Sequence, residues 1–366
     1  MNEEFYKVWF HEINIPSHIK KRIYNRVESC KKIFELTKND YMYMNLNDKI
    51  IYKIMNSKEN LKEIEFILTN NIKFGIEIID IEDENYPNEL KKLDDAPIIL
   101  YGRGNNKEAL KKRYIAVVGA RKCSEYGYNV TKKISSELVE KGLGIVSGMA
   151  EGIDAAAHEG ALHNNGNTVA IFGTGLDRCY PVSNKNLCNK ILEQGYVLSE
   201  YKIGTEPLKY NFPKRNRLIS GMSTGVVITE ARKKSGSFIT ADFGLEQGKE
   251  VFIFEADMNG ELQVGTNSLI EQGATPFKSV EDIIEGLPLY VQTELNKNSN
   301  CTQTIKNVLD NNEIIVYDCL DWQPVSIDQI SSETNFHEDD LNIILMKLDY
   351  KGIVKRSLGN RYSKVR

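Results

Sequence analysis

No apolar run in this sequence approaches the roughly 18 residues needed to cross a bilayer. The opening stretch, MNEEFYKVWF, lacks a basic segment followed by a long apolar one. A cytoplasmic protein without membrane attachment is therefore expected. Cysteine is sparse: the six residues Cys30, Cys123, Cys179, Cys188, Cys301 and Cys319 include no CxxC pair and no histidines at zinc spacing. That scatter argues for reduced thiols and against a disulfide framework or a metal site. Neither sign of charge dominates, with 47 Lys and Arg against 51 Asp and Glu, a net of −4. Any nucleic-acid site must then be a local basic patch. A GxGxxG turn is also missing, and the second candidate strand ends at Ser147-Gly148 without an acidic residue for a ribose, which excludes a nicotinamide fingerprint.

What the chain does have is length and alternation. Its 366 residues exceed the ~250–300 at which single cores stop growing, so two or three domains are expected. Residues 1–75 carry apolar side chains at helical spacing (Ile50, Ile51, Ile54, then Leu61, Ile64, Phe66, Ile67, Leu68), which predicts a small helical domain. Its basic run, Lys20, Lys21, Arg22, Arg26, Lys31 and Lys32, reads as a solvated helix face. Residues 76–104, punctuated by Tyr86-Pro87 and Ala96-Pro97, read as a connector of short extended pieces packed on the next domain.

From Arg113 the pattern changes to YIAVVG, GIVSG, TVAIFG, YVLSE, VVITE and EVFIFE, separated by segments of helix length. Continuous apolar runs so spaced predict a mostly parallel sheet covered on both faces by crossover helices, an α/β fold over residues 76–290. A polar linker over 291–307 leads to residues 308–366, where helices precede a hairpin with a glycine turn, as in a winged helix.

In such a sheet the strand carboxyl ends border the ligand crevice. After the first strand, Gly119 lets the turn approach a phosphate, Arg121 can fork onto it, and Ser124 can cap the next helix. The second turn offers Ser147 and Gly148, with Asp154 and His158 four apart on one helix face and read as a structural hydrogen-bonded pair. The third offers Gly173 and Gly175. Between Lys202 and Lys234 eight basic residues, among them Lys209, Lys214, Arg215 and Arg217, oppose two acids, a local +6 interleaved with Tyr201, Tyr210 and Phe212. Cations that follow a backbone, beside rings on which bases stack, are what single-strand binding without strong sequence preference requires. Ser235, Gly236, Ser237 and Thr240 follow as a hydroxyl-rich helix start suited to phosphate oxygens.

Over roughly residues 80–290 the chain resembles the DNA-processing protein A (DprA, also called Smf) family. The resemblance is carried by YPNEL, VVGARKCSEYG, VSGMAEGIDAAAHEGAL, AIFGTGLDRCYPVSNKNL, FPKRNRLISGMS, TEARKKSGSFITA and GTNSLIEQGA. It implies an extended Rossmann-like domain that binds single-stranded DNA, dimerises and loads the recombinase RecA during natural transformation, with no catalytic residues and no cofactor. The family's ends vary, with a helical, SAM-like N-terminal domain and a winged-helix-like C-terminal domain in some members. Carried over residue by residue, the DNA pocket uses Gly119, Arg121, Ser147, Gly148, Gly173, Gly175, Phe212, Arg215, Asn216, Arg217, Ser235, Gly236 and Ser237, with Ser124 and Lys209 beside them. Where the family turns with Pro-Gly after the last of these strands, this chain has Glu255-Ala256.

Two further readings complete the expectation. The rival is a nucleotide phosphoribohydrolase of the lysine-decarboxylase-like Rossmann group, whose PGGxGTxxE signature has no match here; Glu230 is the only carboxylate in a comparable place. Residues 308–366 hold ten acidic and seven basic side chains, a net of −3, and the candidate recognition helix opens with Glu338, Asp339 and Asp340. Such a helix would repel phosphates, so this domain reads as a protein-contact or regulatory module with a basic wing.

Overall fold

The computed structural model describes residues 2–59, 61–231, 236–255, 269–270, 273–295, 309–320, 324–334, 336–351, 353–357 and 360–364. They form two compact units, 1–292 and 293–366.

The first unit opens with six helices: α1 (Glu3–Glu12), α2 (Ser17–Val27), α3 (Cys30–Glu35), α4 (Lys38–Tyr43), α5 (Asp48–Ser57) and α6 (Lys62–Phe74). Polar side chains start several of them; Thr37 and Asp40 make a reciprocal capping box at α4. The sheet elements follow as β1 (Glu77–Asp80), α7 (Asn88–Lys91), β2 (Ile99–Arg103), β3 (Tyr114–Val118), α8 (Glu125–Glu140), β4 (Gly144–Ser147), α9 (Ile153–His163), β5 (Thr168–Phe172), α10 (Lys185–Gln194) and β6 (Tyr196–Ser199). The unit closes with α11 (Asn211–Met222), β7 (Gly225–Ile228), α12 (Gly236–Glu246), β8 (Glu250–Phe254), β9 (Thr275–Phe277) and α13 (Val280–Gly286).

The sheet has nine strands in the order β1-β2-β6-β5-β4-β3-β7-β8-β9. From β6 to β9 every neighbouring pair is parallel, and β3, β4, β5, β6 and β7 are buried along their whole length. Burial on both faces is why these strands read as unbroken apolar runs. Each of the six expected strands is present, with bounds within two residues. The connector over 76–104 instead supplies β1 and β2, which extend the sheet antiparallel beside β6; their short, proline-flanked runs carry little periodic signal. Strand β9 was not expected either, since three residues, TPF, make no recognisable run.

The helices of 1–75 do not form a separate compact unit. One apolar core runs from Phe5, Val8, Trp9 and Phe10 through Tyr101 of β2 to the central strands. Polar bonds tie the same seam: Tyr101 donates to Glu12 Oε1 at 2.8 Å, His11 Nε2 meets the Glu200 carbonyl at 2.9 Å, and Lys7 pairs with Asp80 at 2.5 Å. The basic run on α2 is accordingly not all solvated. Lys20 donates to the His11 carbonyl, with burial pulling its pKa down to about 8, and Lys21 reaches the carbonyls of Lys91 and Leu93. The cause is local: uncapped carbonyls at the ends of α1 and α7 lie within reach of lysine side chains on α2.

The second unit contains α14 (Asn311–Cys319), β10 (Val325–Ser326), α15 (Ile327–Thr334), α16 (Glu338–Tyr350), β11 (Val354–Ser357) and β12 (Arg361–Lys364), with strand order β10-β12-β11. This winged-helix-like arrangement closes over Val316, Ile330, Leu341, Leu345 and Leu348. An Asp310–Glu313 capping box starts α14, and Lys351 pairs with the buried Glu313 at 2.6 Å. Of the linker expected over 291–307, residues 291–295 are helical and 296–307 lie outside the described residues.

Candidate nucleic-acid interface

Strand order reverses at β3, which has β4 on one side and β7 on the other. At such a switch point the outgoing loops diverge and leave a crevice beyond the carboxyl ends. A cleft of about 680 Å³ lies there. Its first wall is the turn after β3, Gly119 to Lys122. A Cβ at Gly119 would stand 2.6 Å from the Glu230 carbonyl, so glycine allows the turns after β3 and β7 to touch. Across that contact Ala120 N donates to the Glu230 carbonyl at 2.7 Å. Gly152, with φ at 77°, occupies a left-handed conformation whose added Cβ would lie 2.3 Å from the Ala120 carbonyl.

The opposite wall is α11. Phe212 is half-buried in the cleft with Tyr180 at 5.4 Å between ring centroids, and the guanidinium groups of Arg121 and Arg215 stand 5.7 Å and 6.0 Å from its ring centre. Arg121 is exposed. Arg215 is not: at 4% exposure it donates to the Gly148 carbonyl at 2.9 Å and to the Ile171 carbonyl. Burial pulls its pKa down to about 10, which leaves it charged at neutral pH. Arg215 therefore binds together the carboxyl ends of β4 and β5 and puts a positive charge beneath the cleft floor. Lys209 and Asn216 line the rim, and Gly236, Ser237 and Thr240 bring the start of α12 to the third side.

Several expected residues lie elsewhere. Arg217, 5% exposed, makes a two-pronged ion pair with Glu200, both bonds 2.6 Å, and holds Asp95 at 3.2 Å. Its fork is filled by carboxylates and does not line the cleft. Ser147 is fully buried and donates to the Val117 carbonyl at 2.7 Å. Ser124 caps α8, accepting from Gly127 N at 2.9 Å, while its hydroxyl donates to Glu230 at 2.6 Å. Gly148 and Gly173 underlie the site: the first supplies the carbonyl for Arg215, and the second faces Phe212, whose ring an added Cβ would meet at 3.0 Å. Gly175 N donates to the Thr205 carbonyl at 3.1 Å in the loop behind. Ser235, Arg232, Lys233 and Lys234 are outside the described residues, as is the loop after Glu255 in which the Pro-Gly departure falls.

The local +6 is thus partly cancelled. Arg217 belongs to Glu200, and Lys202 belongs to Glu63 and Glu12, whereas Lys209 and Lys214 stay exposed. Tyr180 and Lys122 also line the cleft and were not expected. Lys122 sits next to Arg121 in the same turn, a signal that adjacency offered. Tyr180 follows a cysteine in a loop, and only the fold brings it to Phe212.

Asp154 and His158 do not bond to each other. The Asp154 carboxylate accepts from the backbone N–H groups of Gly148 and Ala150 at 3.1 and 3.2 Å, with burial raising its pKa and Arg215 opposing that rise. His158 Nδ1 meets Thr168 Oγ1 at 2.7 Å, and its Nε2 has no partner among the described residues. The shared helix face aims the two side chains at different strand ends, so the expected pair is replaced by two separate structural anchors. Burial, with Arg215 adding repulsion, lowers the His158 pKa from 6.5 to about 3. Across that window the unfolded chain takes up a proton that the folded chain refuses, so stability falls as pH drops, by about 1.4 kcal/mol per pH unit from this residue. Between about pH 7 and pH 5 the urea midpoint of the wild type should fall more steeply than that of His158→Gln. Equal slopes would show that His158 is not held neutral.

With this geometry in view, the chain can be compared with known proteins. The family model for DNA recombination-mediator protein A matches residues 77–288, from β1 past α13. The DNA processing protein DprA of Streptococcus pneumoniae is 44% identical over 204 residues, covering 56% of this chain and 72% of that protein. The X-ray structure of DNA processing protein A from Streptococcus pneumoniae matches with a TM-score of 0.68 at 33% identity, over 79% of this chain and 99% of that one. A structure of DNA processing protein A from Helicobacter pylori, described for its single-stranded DNA binding mode, matches with a TM-score of 0.52 at 32% identity, over 57% of this chain and 94% of that one. The residues that the family model matches, 77–288, contain the parallel sheet, its switch point and the residues lining the cleft, and on that ground the chain belongs to the DNA recombination-mediator protein A family.

Proposed function

We propose that this protein binds single-stranded DNA in the switch-point cleft and acts without catalysing a reaction on it. The observation that carries the reading is Phe212, a half-buried ring flanked by Tyr180 and by two guanidinium groups. An aromatic platform beside cations suits a base and its phosphate without regard to sequence. Arg121, Lys122 and Lys209 meet phosphates, the N–H groups and hydroxyl at Gly236 and Ser237 donate to another, and Arg215 supplies charge from below. DNA processing protein A from Helicobacter pylori has a single-stranded DNA binding mode, and this likeness supports the same assignment.

Against the rival hydrolase reading stands the occupation of its one candidate carboxylate. Glu230 is 7% exposed and its oxygens accept from Ser124 N and Ser124 Oγ. It serves the start of α8 and is not presented to a substrate. Release of free base from nucleoside monophosphates by the purified protein would overturn the non-enzymatic reading.

The direct test is a gel-shift series with single strands and duplexes of equal length. Single strands should bind at least about tenfold more tightly, because a duplex keeps its bases stacked on one another and denies them to Phe212 and Tyr180. Equal affinity would sink the proposal. The resemblance further supports a cytoplasmic homodimer that loads RecA onto the bound strand. Light scattering at micromolar concentration should give twice the chain mass, and a monomer there would count against the dimer. RecA should assemble on strands coated by a single-strand-binding protein faster when this protein is added, and an unchanged rate would remove the loading role.

The second unit fits a protein contact better than a duplex groove. Glu338, Asp339 and Asp340 are exposed at the start of α16, and Ile343, Met346 and Tyr350, 57%, 68% and 95% exposed, follow along the same helix. Carboxylates at that end repel phosphates, while exposed apolar side chains suit another protein surface.

A further inference from the structure

A second cavity, of about 400 Å³, lies between α10 and the loop that joins it to β5, and shares no lining residue with the cleft. That loop is the wall between the two: Asp177, Arg178, Cys179 and Val182 line the cavity, whereas Tyr180 lines the cleft. Side-chain bonds hold the wall at both ends. Asp177 Oδ1 accepts from Gly204 N at 2.9 Å, and Asn184 donates to the carbonyls of Met149 and Ala150 at 3.0 and 3.2 Å. The cavity is thus set before a ligand arrives.

Its floor is apolar and its rim cationic. Phe172, Leu176 and Val197, all buried, form the floor. Arg103, Arg178 and Lys185 stand against one lining carboxylate, Asp177, which takes Arg178 at 3.0 Å. Arg103, half-buried, and Lys185, exposed, make no ion pair and no side-chain hydrogen bond among the described residues. Two uncompensated cations beside an apolar slot suit a ligand with one anionic end and one flat apolar face, which is the chemistry of a nucleotide. Asn189 on the same side offers a donor and an acceptor to a base edge. Beyond Arg103 the adjoining groove carries the exposed Glu193, whose carboxylate repels a following phosphate. Charge and size therefore agree on a single nucleotide, since small ligands occupy pockets from about 300 Å³ upward.

We propose that this cavity is a second nucleotide subsite, filled by the next nucleotide of the single strand held in the cleft. The strand crosses the wall at Tyr180, 38% exposed, and sets one base against Phe172 and Val197 with its phosphate on Lys185 and Arg103. Continuity favours the bound strand over a free nucleotide. Tyr180 and Cys179 are consecutive, with Cα atoms about 3.8 Å apart, so neighbouring nucleotides reach from one side of the wall to the other. The subsite rests on the cleft being the single-strand site, and the experiment separates the two.

The test compares oligothymidines of about three and about twelve nucleotides on the full chain, the first short enough for the cleft alone and the second long enough to pass the wall. Lys185 is exposed, so Lys185→Ala should keep the fold. It should lower the ratio of long to short affinity about fivefold and flatten the salt slope of the long oligomer by about 0.7, the share of one phosphate. Cys179, half-buried in the cavity, gives a readout independent of affinity. Iodoacetamide, mapped by mass spectrometry, should modify it at the free rate under saturating short oligomer and about tenfold more slowly under the long one. An unchanged affinity ratio, or Cys179 modified equally fast with either oligomer, would overturn the subsite and leave the cleft in place. Thymidine monophosphate that protects Cys179 as well as the long oligomer does would overturn the strand as occupant and give the cavity to a free nucleotide. If wild type and Arg121→Ala bound the short oligomer alike, the cleft reading would fail, and the joined track with it.

Discussion

Arg217→Ala is expected to lower stability by about 3–5 kcal/mol, because it leaves the buried Glu200 carboxylate without its counter-charge. Glu200 is 9% exposed, and apart from Arg217 its side chain accepts only from Ser17 Oγ at 3.2 Å among the described residues. The pair sits on the seam between the N-terminal helices and the sheet, where His11 meets the Glu200 backbone. Loss of the guanidinium should thus loosen that seam as a unit. The pH dependence follows from Glu200, whose pKa is lowered by Arg217, His11 and Lys214 against the opposing effect of burial. A depressed carboxylate contributes stability that is present above its unfolded pKa and is lost as pH falls through the folded one. Arg217→Ala should therefore flatten the loss of stability below about pH 4.5 while starting from a lower plateau. Urea unfolding followed by circular dichroism measures both. A variant within about 0.5 kcal/mol of the wild type would mean the ion pair is not formed in solution.

The second large effect separates charge from stacking inside the cleft. Arg121→Ala removes an exposed cation and should keep the native fold. Its single-strand affinity should fall across all sequences, and the slope of log affinity against log salt should flatten by about 0.7, the share of one phosphate contact on a single strand. Phe212→Ala should lower affinity by about 1–3 kcal/mol with the slope unchanged, since a ring and no charge is lost. Arg215→Ala belongs to neither class: it removes the bonds to the carbonyls of Gly148 and Ile171 and should cost stability as well as affinity. Fluorescence anisotropy on a labelled oligothymidine at several salt concentrations distinguishes the three. If Arg121→Ala bound like the wild type at every salt concentration, the cleft would be misplaced.

These expectations differ from those the sequence supports alone, in which Arg121, Arg215 and Arg217 are three equivalent phosphate ligands. All three are arginines near strand ends, and nothing in their local sequence separates them. The helix α11 does. Arg215 and Arg217 are two positions apart and so point to different faces of it; one turns inward under the cleft and the other toward Glu200 and Asp95. Asp154 and His158 illustrate the converse, since their shared helix face was legible but the strands that face meets were not.

The sequence by itself determined the parallel sheet, its six central strands, the turns that open into the crevice, the winged-helix-like end and the family, because each rests on local periodicity or on contiguous motifs. A strand buried on both faces must be apolar throughout, and a turn closing on another backbone must be glycine, whatever the rest of the chain does. Only the tertiary structure decided which cations face solvent, that the N-terminal helices share the core of the sheet, and that Tyr180 meets Phe212. Those outcomes depend on which distant side chain occupies the neighbouring space. The side chains of Glu200 and Arg217 determine each other's burial, and Tyr180 acquires its partner Phe212 from a different element of the fold, so no window of adjacent residues contains the information.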